Sequence, residues 1–260
     1  MTKLEHHRIK EIEKDSLLED RFYALFKSSI SDQVSLDDFR KLFSKCSKMD
    51  LYFMKKNNLD IGVAYFMYCK NPENRKDIYM RLGFGIIKEE RMSSYFPKGL
   101  IMKTMIRAKL LNIWKNVYMV GITMNPIVYS ATCKYWKYSY PSPEMENTEA
   151  ITAVKRRIIE RFHLNEVSTD VIGVPFTITE VEEIKQKPEI LNSENVFIKY
   201  FNAKINHNES NKGLLSIVPI DFKNLAIVFI RKTKMDVMRS LYLTLEQKIL
   251  PALKEYSPAR

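Results

Sequence analysis

Residues 77–88, DIYMRLGFGIIK, then 89–99, EERMSSYFPKG, and 117–126, VYMVGITMNP, decide the fold of this 260-residue chain. The first stretch is rich in β-formers and predicts a strand, with Gly83 and Gly85 where a bulge or a close approach of another group needs no side chain. The second is a polar loop. From Gly99 to about Trp114, Leu100, Ile101, Met105, Ile106, Leu110 and Ile113 recur at helical spacing, with Lys103, Arg107 and Lys109 elsewhere on that helix. VYMVGITM is short and continuously apolar, as a buried central strand is. Asn125-Pro126 closes it and sets Pro126 at or near the first position of another helix. A strand, a crossover helix and a second strand of the same sheet make those two strands parallel.

Upstream, Lys56-Asn57-Asn58 separates two apolar, β-rich runs and predicts a hairpin leading into the 77–88 strand. Leu17, Leu18, Phe22, Leu25 and Phe26 predict a helix over 15–29. Ser35, followed by Asp37 and Asp38, predicts the N-cap of a second helix that buries Phe39, Leu42 and Phe43. The first residues, with His6 and His7, have no apolar core and are expected to be a mobile, solvated terminus. Downstream, 140–147 is a linker candidate and 148–161, TEAITAVKRRIIER, a helix. Residues 167–191 show little periodicity. The runs 194–202, 213–220 and 224–230 each read as strands, and 234–255 as a terminal helix with Met235, Met238, Leu241, Leu245 and Ile249 on one stripe. The expected class is α+β. A mixed sheet flanked by helices occupies 1–145, and a C-terminal α+β extension over 146–260 packs on it.

With 45% hydrophobic residues the chain can bury a full core. Its seven glycines leave few places for a glycine-rich phosphate loop. Cys46, Cys69 and Cys133 are odd in number and widely spaced, and His6, His7, His163 and His207 show no ligand spacing, so neither a disulfide framework nor a metal site is expected. The first residues do not read as a signal peptide, and no apolar run approaches the ~20 residues of a spanning helix. A cytoplasmic protein is expected. The net charge of +11 suits an anionic partner: a polyphosphate cofactor, nucleic acid or an acidic membrane surface.

The chemistry centres on the strand–loop–helix unit. A helix that starts after a strand offers unpaired N–H groups and a positive dipole end, and Arg91, Ser93, Ser94 and Lys98 add donors and charge. Gly99 lets a phosphate approach the backbone. Together these residues form a candidate pyrophosphate grip. The stretch from Asp15 to Tyr140 resembles the GNAT-type N-acyltransferase superfamily, here as a divergent member with a C-terminal extension. The resemblance implies a fourth strand that splays from the fifth, acyl-CoA as co-substrate in the gap, and its pyrophosphate on the following loop and helix. Arg91 and Gly99 match that loop by role, while the family's usual pair of glycines is absent. Asn125 matches the Asn that often ends the fifth strand. The family's tyrosine, which protonates the leaving thiolate, falls on Thr132 by spacing, with Tyr129 and Tyr135 as neighbouring stand-ins. Glu89 or Glu90 would serve as base toward an amine acceptor, and N–H groups near Gly85 would polarise the thioester carbonyl.

The expected activity is therefore transfer of an acyl group, short or long, from acyl-CoA to an amine on a small molecule or peptide. Two other readings remain at this level. Lys134-Tyr-Trp136-Lys-Tyr138-Ser-Tyr140 interleaves cations with rings, as a nucleic-acid or membrane-surface module does, although a helix end covering the core is favoured. The altered loop also suits a GNAT-like scaffold without catalysis.

Overall fold

A computed structural model describes residues 2–10, 15–44, 46–71, 74–87, 98–176, 178–206, 208, 211–231 and 233. Strand β1 (Thr2–Ile9) precedes helices α1 (Ser16–Ser29) and α2 (Leu36–Phe43), then strands β2 (Lys48–Lys56), β3 (Leu59–Lys70) and β4 (Asp77–Ile86). Helix α3 (Lys98–Leu110) leads to β5 (Asn116–Thr123) and α4 (Pro126–Tyr135). There follow α5 (Glu149–Phe162), β6 (Asn165–Ser168), β7 (Val171–Gly173), α6 (Thr179–Lys185), α7 (Pro188–Leu191), α8 (Val196–Lys204) and β8 (Lys212–Pro219). Residues 222–231 form a further helix, α9.

The strands make one eight-stranded sheet in the order β1-β2-β3-β4-β5-β8-β7-β6. Among the described strands β4 and β5 are the parallel pair, joined by α3 as the spacing predicts; the other neighbours are antiparallel. The fold is the mixed α+β sheet flanked by helices that the sequence implies.

Alternation sorts the core. Leu51, Phe53, Val63 and Met67 face α1 and α2, where Phe22, Phe26, Phe39 and Phe43 pack edge to face. Farther along this side, Tyr79, Val120, Leu215 and Ile217 meet Ile151, Val154 and Ile158 of α5. The opposite face carries Ile78, Met80, Val117 and Val218 under α3 and α9, and Leu214 under α4 and α8.

Local chemistry explains the ends. The Asp15 and Ser35 side chains accept the N–H groups of Leu18 and Asp38, and Thr148 caps α5 through Ile151. Asn57 and Asn58 turn the β2–β3 hairpin with φ of 51° and 64°, a conformation that asparagine tolerates.

Several expectations are corrected. The N-terminal residues form β1, whose Glu5 holds Arg21 at 2.7 Å and whose His6 stacks on Tyr52 at 4.4 Å. Of the three late apolar runs, only 213–220 becomes a strand. Residues 196–204 and 222–231 are helical, started by Asn195, which accepts from Phe197 at 3.0 Å, and Asp221, which accepts from Asn224 at 2.7 Å. The helix expected to reach Trp114 ends at Leu110. The 140–142 stretch, expected as a linker, is pinned: Tyr140 exchanges backbone hydrogen bonds of 2.9 and 2.7 Å with Ile217. The terminal helix over 234–255 lies outside the described residues.

Candidate active site

The parallel pair does not run its full length. β4 and β5 pair from Asp77↔Asn116 to Arg81↔Val120 and no further. Beyond that point β4 continues on β3 as far as Ile86, and β5 continues on β8 as far as Thr123. Two strands held from opposite sides diverge. A cleft of about 1060 Å³ opens between them. Its walls are β4 over 81–86, β5 over 119–123, the start of α4, one edge of α1 and α2, and residues 173–176 after β7.

Backbone direction in the gap follows from the pairing. The Ile87 N–H bonds the Ile61 carbonyl of β3, so Gly85 and Gly83 also turn their peptide groups to β3. Leu82, Phe84 and Ile86 turn theirs toward β5. The two glycines serve packing. A Cβ on Gly83 would overlap the Tyr65 ring and hydroxyl, and one on Gly85 would overlap Ser29 at the end of α1 and Ile30 just after it.

Polar side chains gather at the split. Among the described residues lining the cleft, Tyr65 is the one tyrosine, and its hydroxyl lies over Gly83. Burial pushes its pKa up, with the Arg81 charge pulling the other way, so the phenol stays protonated near neutrality. Arg81 also stands over the Phe162 ring at 5.1 Å. Asn125 caps α4: its Oδ1 accepts the N–H groups of Ile127 (2.8 Å) and Val128 (3.4 Å). Thr132 faces the cleft one turn on, its hydroxyl donating to the Val128 carbonyl at 2.9 Å. Thr123 and Ser216 share a 3.1 Å hydrogen bond across β5 and β8. His163, left-handed at φ 49° after α5, is among the residues that line the cleft. At the α2 wall, Ser35 and then Lys41 hold the Asp38 carboxyl below its usual range.

The structure brings only part of the predicted set together. Asn125 and Gly85 line the cleft, though the Gly85 N–H points to β3 rather than into the gap. Tyr129 lies on the far side of α4: it is buried, donates to the Pro141 carbonyl at 2.8 Å and stacks on Tyr200. Helical geometry explains this, since Val128 and Thr132 share the cleft face and Tyr129 is a residue out of phase. Tyr135, at the end of α4, is outside the lining as well. Gly99, in the first turn of α3, has no described atom within 4 Å of the place a side chain would take, and it does not line the cleft. Glu89, Arg91, Ser93 and Ser94 lie outside the described residues, as does the side chain of Lys98. Sequence reasoning missed Tyr65, Arg81 and His163. The signal for Tyr65 was available: the hairpin register sets it opposite Gly83, and a strand glycine expects a bulky neighbour. Among the described residues no group of three His, Cys, Asp or Glu side chains is arranged to hold a metal ion.

No protein-family model matches the sequence, and a search of curated proteins gives no significant match. Solved structures overlap it loosely. One is a protein from Enterococcus faecalis V583 described as a probable N-acyltransferase: 13% identity, TM-score 0.32, covering 52% of this chain and 32% of that one. This chain thus spans about a third of that protein. A second is the loading GNATL domain of CurA from Lyngbya majuscula, at 14% identity, TM-score 0.34 and coverage of 85% and 98%. A third is a predicted acetyltransferase with acetyl-CoA from Clostridium acetobutylicum, at 16%, 0.34 and coverage of 58% and 98%. At such TM-scores the strand pairing of the chain itself, not the overlap, defines its architecture.

Proposed function

We propose that the chain transfers an acyl group from a CoA thioester, lying in the β4–β5 gap, to an amine that enters from the α1–α2 side. The observation that carries this reading is the end of β4–β5 pairing after Arg81↔Val120, with the cleft opening there. A slot between two strand edges suits the thin pantetheine arm of CoA, and the net charge of +11 suits its phosphates. Gly99 and the start of α3, with Arg91, Ser93, Ser94 and Lys98, are the groups we assign to the pyrophosphate.

In this reading the amine nitrogen attacks the thioester carbonyl carbon. A C–N bond forms, the C–S bond breaks, and the amine proton passes to a base, for which His163 and Glu89 are the candidates. Tyr65 gives its proton to the leaving thiolate and recovers one from water. Asn125, its Oδ1 held by the cap, has its amide Nδ2 to offer the thioester or pantetheine. We assign the choice of acyl group and acceptor to the walls, one side of which is made apolar by Phe26, Phe43 and Phe176.

Thr132, standing where a phenol is expected, favours a second reading: CoA binding without turnover. Both are tested by titrating CoA, acetyl-CoA and palmitoyl-CoA while following Tm, then assaying thiol release with an amine panel. Ligand at 100 times Kd adds about 2.7 kcal/mol of stability. A shift together with turnover that drops at least ~100-fold in Tyr65→Phe, at unchanged Tm, supports catalysis through Tyr65. A shift without turnover leaves the scaffold reading. No shift with any thioester defeats both.

A further inference from the structure

At the end of the β4–β5 pair opposite the cleft, an apolar tip stands in water. α3 stops at Leu110 and residues 111–115 turn directly into β5. The turn is fastened from inside. Lys109 is 8% exposed and places its ammonium on the carbonyls of Ile113 (3.2 Å) and Lys115 (2.8 Å). The Asn112 amide donates to the Ala108 carbonyl at 2.8 Å. The Leu111, Asn112 and Lys115 N–H groups find carbonyls within the turn or the helix. With the polar groups satisfied inward, Leu110, Leu111, Ile113 and Trp114 project outward at 57, 66, 46 and 91% exposure. Phe222, half exposed at the start of α9, adjoins them, its ring centroid 5.6 Å from the Lys109 ammonium.

Cations flank the tip. Arg107 lies one turn back on α3. Arg75 and Lys76 occupy the turn beside it, where the Lys76 carbonyl accepts the Asn116 N–H at 2.8 Å, and Lys115 closes the tip itself. Two carboxylates among the described residues here are engaged within the fold. Asp77 is buried against Arg157 (3.0 Å) and Asn116 (2.9 Å), and Asp221 caps α9.

We propose that this tip docks the protein on an anionic lipid surface. Trp114 and its aliphatic neighbours enter the headgroup region while the flanking cations meet lipid phosphate, the pattern of an interfacial anchor. Charge complementarity selects the anionic surface. A tip of four side chains falls short of the roughly 800 Å² per partner of a stable protein contact. Its aliphatic majority offers no stacking platform for bases.

The second tryptophan, Trp136, is 6% exposed, so emission sensitive to solvent reports Trp114. Full-length protein is mixed with phosphatidylcholine vesicles with and without phosphatidylserine, near physiological salt. The expected result is a blue shift and protection from acrylamide with the anionic vesicles alone. Co-sedimentation with them should weaken by at least ~10-fold in Trp114→Ala and fall as salt rises, while Tm stays put. No response to anionic vesicles overturns the proposal, as does equal sedimentation of Trp114→Ala or an equal response to single-stranded RNA. So does a Trp114 already shielded without vesicles, which assigns the tip to another segment of the chain or to a second copy; the measured mass separates those two.

Discussion

Gly83 and Gly121 sit in neighbouring strands and both line the cleft, yet their surroundings are opposite. A methyl on Gly83 would run into Tyr65, whose ring is fixed by Phe22 and Phe43 at 5.7 and 5.1 Å between centroids. A methyl on Gly121 would meet nothing within 4 Å. Gly83→Ala is expected to cost about 1–3 kcal/mol, as overpacking does, and to displace the Tyr65 hydroxyl. Gly121→Ala should be neutral or stabilising by up to ~1 kcal/mol, because alanine loses less chain entropy on folding. Denaturant melts of the two variants decide this, and equal losses would mean that Tyr65 does not rest on Gly83. The sequence marked Gly83 as a place of close approach without naming the neighbour. The neighbour depends on the β3–β4 register, which hairpin geometry and burial fix together.

Between elements, an ion pair clamps α1 to α2. Glu19, almost wholly buried, takes the Arg40 guanidinium at 2.8 and 2.9 Å. The hydrogen bond from Arg40, more than its charge, holds the Glu19 carboxyl below its usual range against the cost of burial. A folded-state pKa below the unfolded one gives stability that is complete above the unfolded value, near 4.3, and is lost as pH falls through the folded one. Arg40→Met should therefore cost about 1–3 kcal/mol at pH 7, part of it the penalty of an unpartnered carboxylate. The gap to the parent chain should narrow as pH falls through the unfolded value and close only below the folded-state pKa of Glu19, where the carboxyl is protonated in both. Urea melts at pH 7 and pH 3.5 test the sign, and a gap that widens in acid contradicts it. Both helices were legible from apolar residues at helical spacing, and so was the Ser35 cap of the second; the Asp15 cap came from the structure. The partner of Glu19 was not, because it lies 21 residues away across a helix–helix contact.

In the whole molecule, the sheet does not respect the division at residue 145. β8 inserts beside β5, pairing from Tyr118↔Pro219 to Thr123↔Leu214, and carries β7 and β6 with it. It thereby holds β5 away from β4 and helps to make the cleft. We expect residues 1–145 made alone to lack a cooperative melt, since the β5 edge and the apolar residues Val120 and Tyr118 would lose their cover. A sharp two-state transition in that fragment would show that the first half folds by itself.

The sequence alone determined what lies close along the chain: the capped helices α1, α2, α4 and α5, the Asn57-Asn58 hairpin, and the strand–helix–strand unit that makes β4 and β5 parallel. Caps, turns and periodicity act over a few residues, so they can be read without knowing what packs against them. Tertiary structure decided the rest. Residues 196–204 and 222–231, short apolar runs that suit strand or helix equally, are helices that pack Phe197 and Phe201 against α4 and Leu225 and Val228 beside α3. Tyr129 was withdrawn from the cleft by its phase on α4, and Tyr65 was brought to it from β3. The end of the β4–β5 pairing belongs to β8, whose place beside β5 rests on contacts nearly a hundred residues apart, and no local pattern encodes such a choice.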